Sequence, residues 1–312
     1  MMAALALLGC GREEAATLAA PVAVATPAVE PALWFGGDVF VGALGDRGGV
    51  EDIVAIVGGA AGIVNLEGAV VAGAGEARID GTTVWLANAE GTPAWLRGQG
   101  VVAASVANNH ASDPGPDAPA GTVARLRAAG VAPFGGVAGV ARLDVGGVDV
   151  RLVSHEVEEP GLAEALAAEL VEGDIRVVSL HVNGGPSYLP TPALTRAVDL
   201  AVASGADIVV AHGTHVVGPV ERRVSTRPGG EAVIAWGLGN LLFDCACTIY
   251  DEGMVVRVAL GRDGPGVAEV LPVRAGLGTD RARIAPDPAG ILDLLDALGG
   301  AHLTRSGGRG RF

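Results

Sequence analysis

The chain has 312 residues, half of them hydrophobic, with few aromatic side chains and a formal net charge of −14. This composition supports a sizeable core in one or two domains, and the acidic balance argues against nucleic acid as a partner. The chain contains no lysine, which excludes Schiff-base chemistry and a P-loop lysine.

Residues 1–32 are predicted to form a leader and a tether. Cys10 closes the stretch Leu7-Leu8-Gly9-Cys10, which resembles a bacterial lipobox, although no positive charge precedes it. The alternative is an ordinary N-terminal helix remnant. Residues 11–32 are rich in Ala, Pro and Thr and predict a flexible tether. We therefore expect an exported protein held at the membrane of the cell envelope by lipidated Cys10.

From residue 33 onward, short Val/Ile/Leu runs alternate with helical segments, which predicts a single α/β domain over residues 33–301. Strands are predicted at residues 33–35, 62–66, 83–87, 101–107, 175–180, 208–211 and 232–238. Helices are predicted at residues 50–57, 92–97, 118–129, 162–171, 191–203 and 291–298.

Two β-hairpins are predicted in addition. One spans residues 140–153 around Gly146-Gly147, and the other joins residues 254–260 to 267–273. The tail over residues 302–312 is rich in Gly and Arg and is predicted to be disordered. Cys245 and Cys247 form a C-x-C pair, in which a disulfide would be strained and a zinc site incomplete. We therefore expect two partly buried thiols.

Possible metal ligands or catalytic groups follow one predicted strand after another. They are Asp38, Glu67, Asn109, His110, His181, His212 and His215. In open α/β sheets, ligands bind beyond the carboxyl ends of the strands, so we expect these side chains to converge. Carboxylate, imidazole and amide oxygen together suit Mn, Fe or Zn ions, and two such ions can activate water and neutralise an oxyanion.

Six stretches occur in the order typical of one family. They are "GGDVFVG", "VNLEGAV", "ASVANNHASDPG", "VVSLHVNGG", "GADIVVAHGTHVVGPVE" and "IAWGLGNLLFD". In these stretches the chain resembles the CapA-type poly-γ-glutamate capsule biosynthesis family, a branch similar to calcineurin-like metallophosphoesterases. The resemblance implies an α/β sandwich of two packed β-sheets flanked by helices, with two divalent metal ions at the strand ends.

The resemblance also implies roles for individual residues. It makes His110 the general acid, with metal ligands at Asp38, Glu67, Asn109, His181, His212 and His215. Asn108 is expected to hold the strand-end turn through hydrogen bonds to the backbone. Asp113 either orients His110 or serves the same turn. Asn183 and Asn240 are expected to contact the substrate or to support the ligands.

Three positions depart from the related phosphoesterases. Phe40 stands where they usually have a metal-binding histidine, Asn183 lies in "HVNGG" instead of a His-Trp-Gly stretch, and Gly213 leaves two imidazoles in the last motif. We expect a metal-dependent, phosphoesterase-type hydrolase acting on an anionic substrate, either a phosphoester or polyglutamate. The alternative is a non-catalytic factor that binds or anchors an anionic surface polymer through metal ions.

Overall fold

The computed structural model describes residues 30–45, 47–227 and 230–312. Cys10 and the predicted tether up to residue 29 lie outside the described residues. Within the described ranges, no helix combines the length and the apolar character that crossing a membrane requires.

Within the described part of the chain, twenty strands form the framework of the domain. The first ten are β1 (Ala32–Phe40), β2 (Ala61–Leu66), β3 (Ala69–Val70), β4 (Glu76–Asp80), β5 (Thr83–Asn88), β6 (Val101–Ser105), β7 (Ala132–Phe134), β8 (Ala141–Val145), β9 (Val148–Glu156) and β10 (Ile175–His181). The others are β11 (Ile208–His212), β12 (Val220–Val224), β13 (Glu231–Ala235), β14 (Asn240–Phe243), β15 (Glu252–Gly261), β16 (Gly264–Arg274), β17 (Gly276–Leu277), β18 (Arg283–Ile284), β19 (Thr304–Ser306) and β20 (Arg309–Arg311).

Six α-helices accompany the strands in the described residues. They are α1 (Glu51–Val57), α2 (Thr92–Gly98), α3 (Ala118–Ala128), α4 (Leu162–Glu169), α5 (Pro192–Ala203) and α6 (Pro288–Leu298). The start of α5 shows why a helix begins there. Thr191 accepts a hydrogen bond from the backbone N–H of Leu194, and Pro192 occupies the first turn, where its missing N–H costs nothing.

The strands form two large sheets and one small sheet. The first large sheet has the order β19-β20-β16-β15-β1-β2-β6-β7, with β14 also paired to β1. The second has the order β12-β13-β11-β10-β9-β8, and β3, β5 and β4 form the small sheet. The two large sheets pack face to face, and their inner side chains form the central core, including Leu33, Phe35, Ile63, Val150, Leu152, Val177 and Ile208.

Helices cover the outer faces of both large sheets. Residues of α1, α2 and α3 pack on the first sheet in a cluster around Trp34, while α4 and α5 pack on the second around Leu180. The two-sheet sandwich flanked by helices is thereby confirmed. A strand that is buried on both faces has consecutive apolar residues instead of alternating apolar and polar ones. The first four residues of β1, Ala32–Phe35, show this pattern.

Two segments differ from the sequence-based expectation. Residues 302–312, predicted to be disordered, contain the β19–β20 hairpin, which extends the first sheet through pairing of β20 with β16. The Arg311 guanidinium donates to Glu269 Oε1 at 2.8 Å, and Gly307-Gly308 supply the positive φ angles of the turn. Cys245 and Cys247, predicted to be thiols, form a disulfide with their Cα atoms 5.1 Å apart, a separation within the range that disulfides span.

Candidate metal centre

The carboxyl ends of parallel strands from both large sheets meet at one place. β1 pairs with β2 in the first sheet and β10 pairs with β11 in the second, both in parallel. Asp38 lies near the end of β1, and Glu67 directly follows β2. His181 and His212 are the last residues of β10 and β11 and lie opposite each other in the register. This arrangement brings together side chains that are distant along the chain.

A local irregularity in β1 places Asp38 at this point. The register between β1 and β2 shifts between Phe35 and Asp38. A Cβ atom at Gly37 would lie 1.9 Å from the carbonyl oxygen of Gly239, so only glycine permits this approach. The N–H of Asp38 donates to that same carbonyl at 3.0 Å. Gly37 and Gly239 therefore allow β1 to pass close to the backbone of residues 238–240.

Asp38 is fully buried and accepts hydrogen bonds on both carboxylate oxygens. Asn65 Nδ2 donates to Oδ1 at 2.9 Å, and the N–H of Gly213 donates to Oδ2 at 3.1 Å. The Nδ1 atoms of His212 and His215 lie 3.4 and 3.3 Å from the two oxygens. Burial alone would raise the pKa of Asp38, but the two histidines hold it well below its ordinary value. Asp38 is therefore an anion.

Glu67 lies at the centre of three imidazole rings. Its Oε1 atom is 3.9 Å from the Nε2 atoms of His110, His181 and His215. Its Oε2 atom is buried without a hydrogen-bond partner among the described residues. Burial raises the pKa of Glu67 to about 8, against the opposing attraction of His215, and the charge of Asp38 adds to the rise.

The imidazoles of His181 and His212 also carry unpaired nitrogens. Nε2 of His181 and Nδ1 of His212 are buried without a hydrogen-bond partner in the described part of the chain. Burial lowers the pKa of His181 to about 4, so its ring is neutral at pH 7 and can bind a metal ion. A buried polar atom without a partner costs about 1–3 kcal/mol. Unpaired atoms on Glu67 and His181, two side chains that approach to 3.9 Å, therefore favour a bound cation.

The geometry of three side chains fits a metal ion directly. Asp38, Glu67 and His215 each offer one ligand atom, and these atoms lie within 4.8 Å of one another. Imidazole nitrogen with carboxylate oxygen is a donor set that suits Mn²⁺, Fe²⁺ and Zn²⁺. The unpaired atoms of Glu67 and His181 extend this set on one side. The described residues therefore contain a cluster able to hold a divalent ion.

His215 is held in a defined orientation. Its backbone φ of 55° lies in the left-handed region, which non-glycine residues adopt at a cost. Its Nδ1 lies 2.9 Å from Asn240 Oδ1, and Asn240 Nδ2 donates to the carbonyl of Tyr250 at 2.9 Å. The carboxylates of Glu67 and Asp38 raise the pKa of His215 despite its burial. Asn240 therefore acts on the centre through His215.

Gly213, one of the three departures in the sequence, is required by close contacts. Its φ is 79°, and an added Cβ atom would lie 2.2 Å from the carbonyl oxygen of Val182 and 2.8 Å from the ring of His181. The backbone N–H of Gly213 donates to Asp38 Oδ2 at 3.1 Å. The site thus uses a backbone donor at this position.

His110 and Asp113 form a pair at the edge of the centre. His110 Nδ1 lies 2.8 Å from Asp113 Oδ2, so Asp113 contacts the ring as well as closing the turn. Asn108 lies beneath them: its Oδ1 accepts from the N–H of His110 at 3.2 Å, and its Nδ2 donates to the carbonyl of Leu66 at 2.9 Å. The expected side chain to backbone hydrogen bonds of Asn108 are present.

Asn109 and Asn183 lie further out. Asn109 is exposed and lines the cavity without a hydrogen bond among the described side chains. Asn183 is also exposed; its Oδ1 lies 3.3 Å from His181 Nδ1, and its Nδ2 donates to Glu156 Oε2 at 2.7 Å. Phe40 is fully buried against Phe243, so the position supplies no ligand.

Two residues of the site were missed in the sequence. Asn65 donates to Asp38 and could have been identified from the sequence. It lies on β2 two residues before Glu67, which directly follows the strand, so the alternation of a strand directs both side chains to the same side. Trp85 donates from Nε1 to the carbonyl of Asp113, and Leu86 N–H donates to Asp113 Oδ2 at 2.7 Å. No pattern in the sequence pointed to Trp85.

The centre opens into a cavity of about 310 Å³. Glu67, His110, His181 and His215 line its floor. Its walls come from the turn between β4 and β5, the loop after β10, and the segment that follows the disulfide. A volume at the lower end of the range for ligand pockets suits a small group or one residue of a polymer.

Comparisons with known proteins give the family. The chain matches the family described as "Bacterial capsule synthesis protein PGA_cap" over residues 49–154 and 145–245, which together exceed half its length. The PGA biosynthesis protein CapA of Bacillus subtilis (strain 168) is 36% identical over 105 residues, or 32% of this chain. That match spans 25% of the length of the relative.

Two solved structures are similar as well. A hypothetical protein from Thermus thermophilus aligns with a TM-score of 0.50 and 16% identity. The alignment covers 78% of this chain and 99% of that chain, so the two proteins share the fold. A novel phosphatase from Mycoplasma pneumoniae aligns with a TM-score of 0.48 and 11% identity over 79% of this chain and 94% of that one. By its sequence match, the chain belongs to the PGA_cap family of bacterial capsule synthesis proteins.

Proposed function

We propose that the protein is a metal-dependent, phosphoesterase-type hydrolase of the cell envelope that serves capsule or poly-γ-glutamate synthesis. One observation carries this proposal: Glu67 Oε1 is 3.9 Å from three imidazole nitrogens, and its other oxygen is buried and unpaired. A purely structural glutamate has no need of this arrangement, whereas a carboxylate shared by cations does.

The residues of the chain divide into holding and proton-transfer groups. Asp38, Glu67, His181, His212 and His215 would hold two divalent ions, with Asn109 as a neutral ligand from the rim. Such ions, when bound, supply Lewis-acid polarisation of the ester and a more acidic water. His110 donates a proton from Nε2 to the departing oxygen, while Asp113 holds the ring through Nδ1.

The test uses the full chain, stripped with chelator and reloaded with Mn²⁺. Metal content is measured by mass spectrometry, and hydrolysis is measured with bis(p-nitrophenyl) phosphate. We expect the wild type to bind metal and hydrolyse the ester, and Glu67→Gln to lose both. His302→Gln, which changes an exposed histidine near the C-terminus, is the matched control. A wild type that binds no metal contradicts the proposal.

The envelope location rests on Cys10, which we propose to carry the lipid. Labelling cells with an alkyne fatty acid should mark the wild-type chain and leave Cys10→Ser unlabelled. Release of Cys10→Ser from the membrane fraction is the expected consequence. Equal labelling of both chains would contradict lipidation at Cys10.

A second function is favoured by Phe40, which is buried where related phosphoesterases place a histidine. Here the protein binds an anionic polymer through its ions without turnover. This function predicts that poly-γ-glutamate binds to the Mn²⁺-loaded chain, is released by chelator, and is recovered at its original length. Ester hydrolysis that depends on His110 would exclude it.

A further inference from the structure

The ionisable groups that line the cavity are few. They are the buried Glu67, the three histidines around it, and Tyr250, since Cys247 is held in its disulfide. The lining contains no arginine within the described residues. The arginine of the neighbouring hairpin, Arg78, stacks on Trp85 at 3.8 Å from the ring centroid. Polar contacts to a substrate outside the metal centre therefore come from neutral groups such as Thr248.

Phosphate esters differ in the charge that such a lining must match. A phosphomonoester carries between one and two negative charges near neutral pH, since its second pKa is about 6. A phosphodiester carries one charge. Proteins usually hold the additional anionic oxygens of a terminal phosphate with arginine or lysine. Beyond the divalent ions and the histidines of the proposed metal centre, the lining offers only neutral donors, so no further cation balances the second charge of a monoester.

The apolar part of the lining lies on more than one side of the floor. Val84 and Leu86 come from β5, and Val182 and Pro186 come from the loop that follows β10. Phe243 closes the cavity next to His215, with the two rings edge to face at 5.2 Å between centroids. A phosphodiester carries an organic group on each side of phosphorus, and both groups can then contact an apolar wall.

We propose that the cavity selects phosphodiesters over phosphomonoesters. This inference rests on the proposed hydrolase function and names the substrate class of that site. The specificity comes from walls that accept two organic groups and from a lining that adds no cation beyond the metal centre for a second negative charge.

The test compares two esters with the same leaving group, methyl p-nitrophenyl phosphate and p-nitrophenyl phosphate. With the Mn²⁺-loaded full chain at pH 8, we expect kcat/KM to be at least about tenfold higher for the methyl diester. Equal values or a preference for the monoester would overturn the inference while the hydrolase function stands. Hydrolysis of neither ester would remove the hydrolase function and this inference with it.

Binding provides a readout that is independent of turnover. Isothermal titration with phenylphosphonate and with its methyl ester should give tighter binding of the singly charged methyl ester. Tighter binding of the dianion would contradict the inference.

A variant tests the charge argument directly. Thr82 is exposed in the turn between β4 and β5 and lines the cavity. Thr82→Arg should raise kcat/KM for the monoester relative to the diester by about tenfold, whereas Thr82→Gln, its neutral control, should leave the ratio unchanged. Equal ratios in the two variants would show that charge does not set the preference.

Discussion

His110 Nδ1 lies 2.8 Å from Asp113 Oδ2. The opposite nitrogen of the same ring lies 3.9 Å from Glu67 Oε1, so the ring spans from the supporting carboxylate to the centre of the site. This relationship suits the general-acid role proposed for His110, because Asp113 holds the ring through Nδ1 while Nε2 is directed toward Glu67 and the proposed metal centre.

The first prediction concerns this pair. His110→Ala should lower kcat by about 10²–10⁴-fold, and Asp113→Asn should lower it less, because the ring remains. The loss should be greater for a phenolate leaving group than for p-nitrophenolate, since a poorer leaving group depends more on protonation. Steady-state rates with both esters check this. A uniform loss with the two esters would contradict an acid role for His110.

The second prediction concerns Trp85 as a positioning residue. Its indole N–H donates to the carbonyl of Asp113, and the neighbouring Leu86 N–H donates to the Asp113 carboxylate at 2.7 Å. Trp85→Phe removes one hydrogen bond worth about 1 kcal/mol, so we expect kcat to fall about fivefold with KM nearly unchanged.

Arg78→Gln provides the control for Trp85→Phe, since it removes the stacked guanidinium and leaves the indole hydrogen bond in place. We expect this control to retain wild-type kcat. Metal content should remain at the wild-type level in both variants. Loss of metal in Trp85→Phe would show a general disturbance of the site instead of a positioning effect.

Much of the centre was predictable because its residues lie at, or just beyond, the carboxyl ends of strands. The parallel strands β1, β2, β10 and β11 each read as a short apolar run, and the polar residue after such a run lies at the carboxyl edge of a sheet. Asp38, Glu67 and His181 converge for this reason. The hairpin at Gly146-Gly147 was equally clear, and the antiparallel pairing of β8 with β9 confirms it.

The remaining features depend on contacts that no local pattern records. Asn65 is the asparagine that donates to Asp38, whereas Asn109 is exposed. To decide from the sequence which asparagine contacts Asp38, one would need the positions of the neighbouring strands. β14 pairs with β1 only after the chain has passed through the second sheet. The C-terminal hairpin pairs with β16 through contacts between distant residues, which include the one between Glu269 and Arg311.

The third prediction concerns the stability of the metal-free protein. Burial raises the pKa of Glu67 from 4.5 to about 8, so the folded state holds a proton that the unfolded state releases in this range. The contribution of protonated Glu67 is fully present below pH 4.5 and is lost as the pH rises through about 8. Glu67→Gln removes this loss, because an amide does not ionise.

In the presence of chelator, Glu67→Gln should therefore melt at a higher temperature than the wild type at pH 8, by at least about 2 °C. The difference should be smaller at pH 5, which calorimetry at both values can measure. The order should reverse with Mn²⁺, because only the wild type gains stability from binding. A difference that does not grow with pH would contradict a buried, protonated Glu67.

The fourth prediction concerns the Cys245–Cys247 disulfide. The segment after it carries Thr248 and Tyr250, and the Tyr250 carbonyl accepts from Asn240, which in turn holds His215. So short a closed loop contributes only about 1.5 kcal/mol to stability in the chain-entropy description. The double variant Cys245→Ser/Cys247→Ser should therefore fold, with a melting temperature a few degrees lower.

Its Mn²⁺ affinity should fall more clearly, by about tenfold, because Asn240 loses a fixed partner and His215 loses its orientation. Titration of the chelator-treated chain with Mn²⁺ measures this, and the wild type under reducing conditions should behave like the double variant. Asn240→Ala, with the disulfide intact, should give a similar loss, since both changes act on the same ring. Wild-type affinity in the double variant would separate the disulfide from the metal centre.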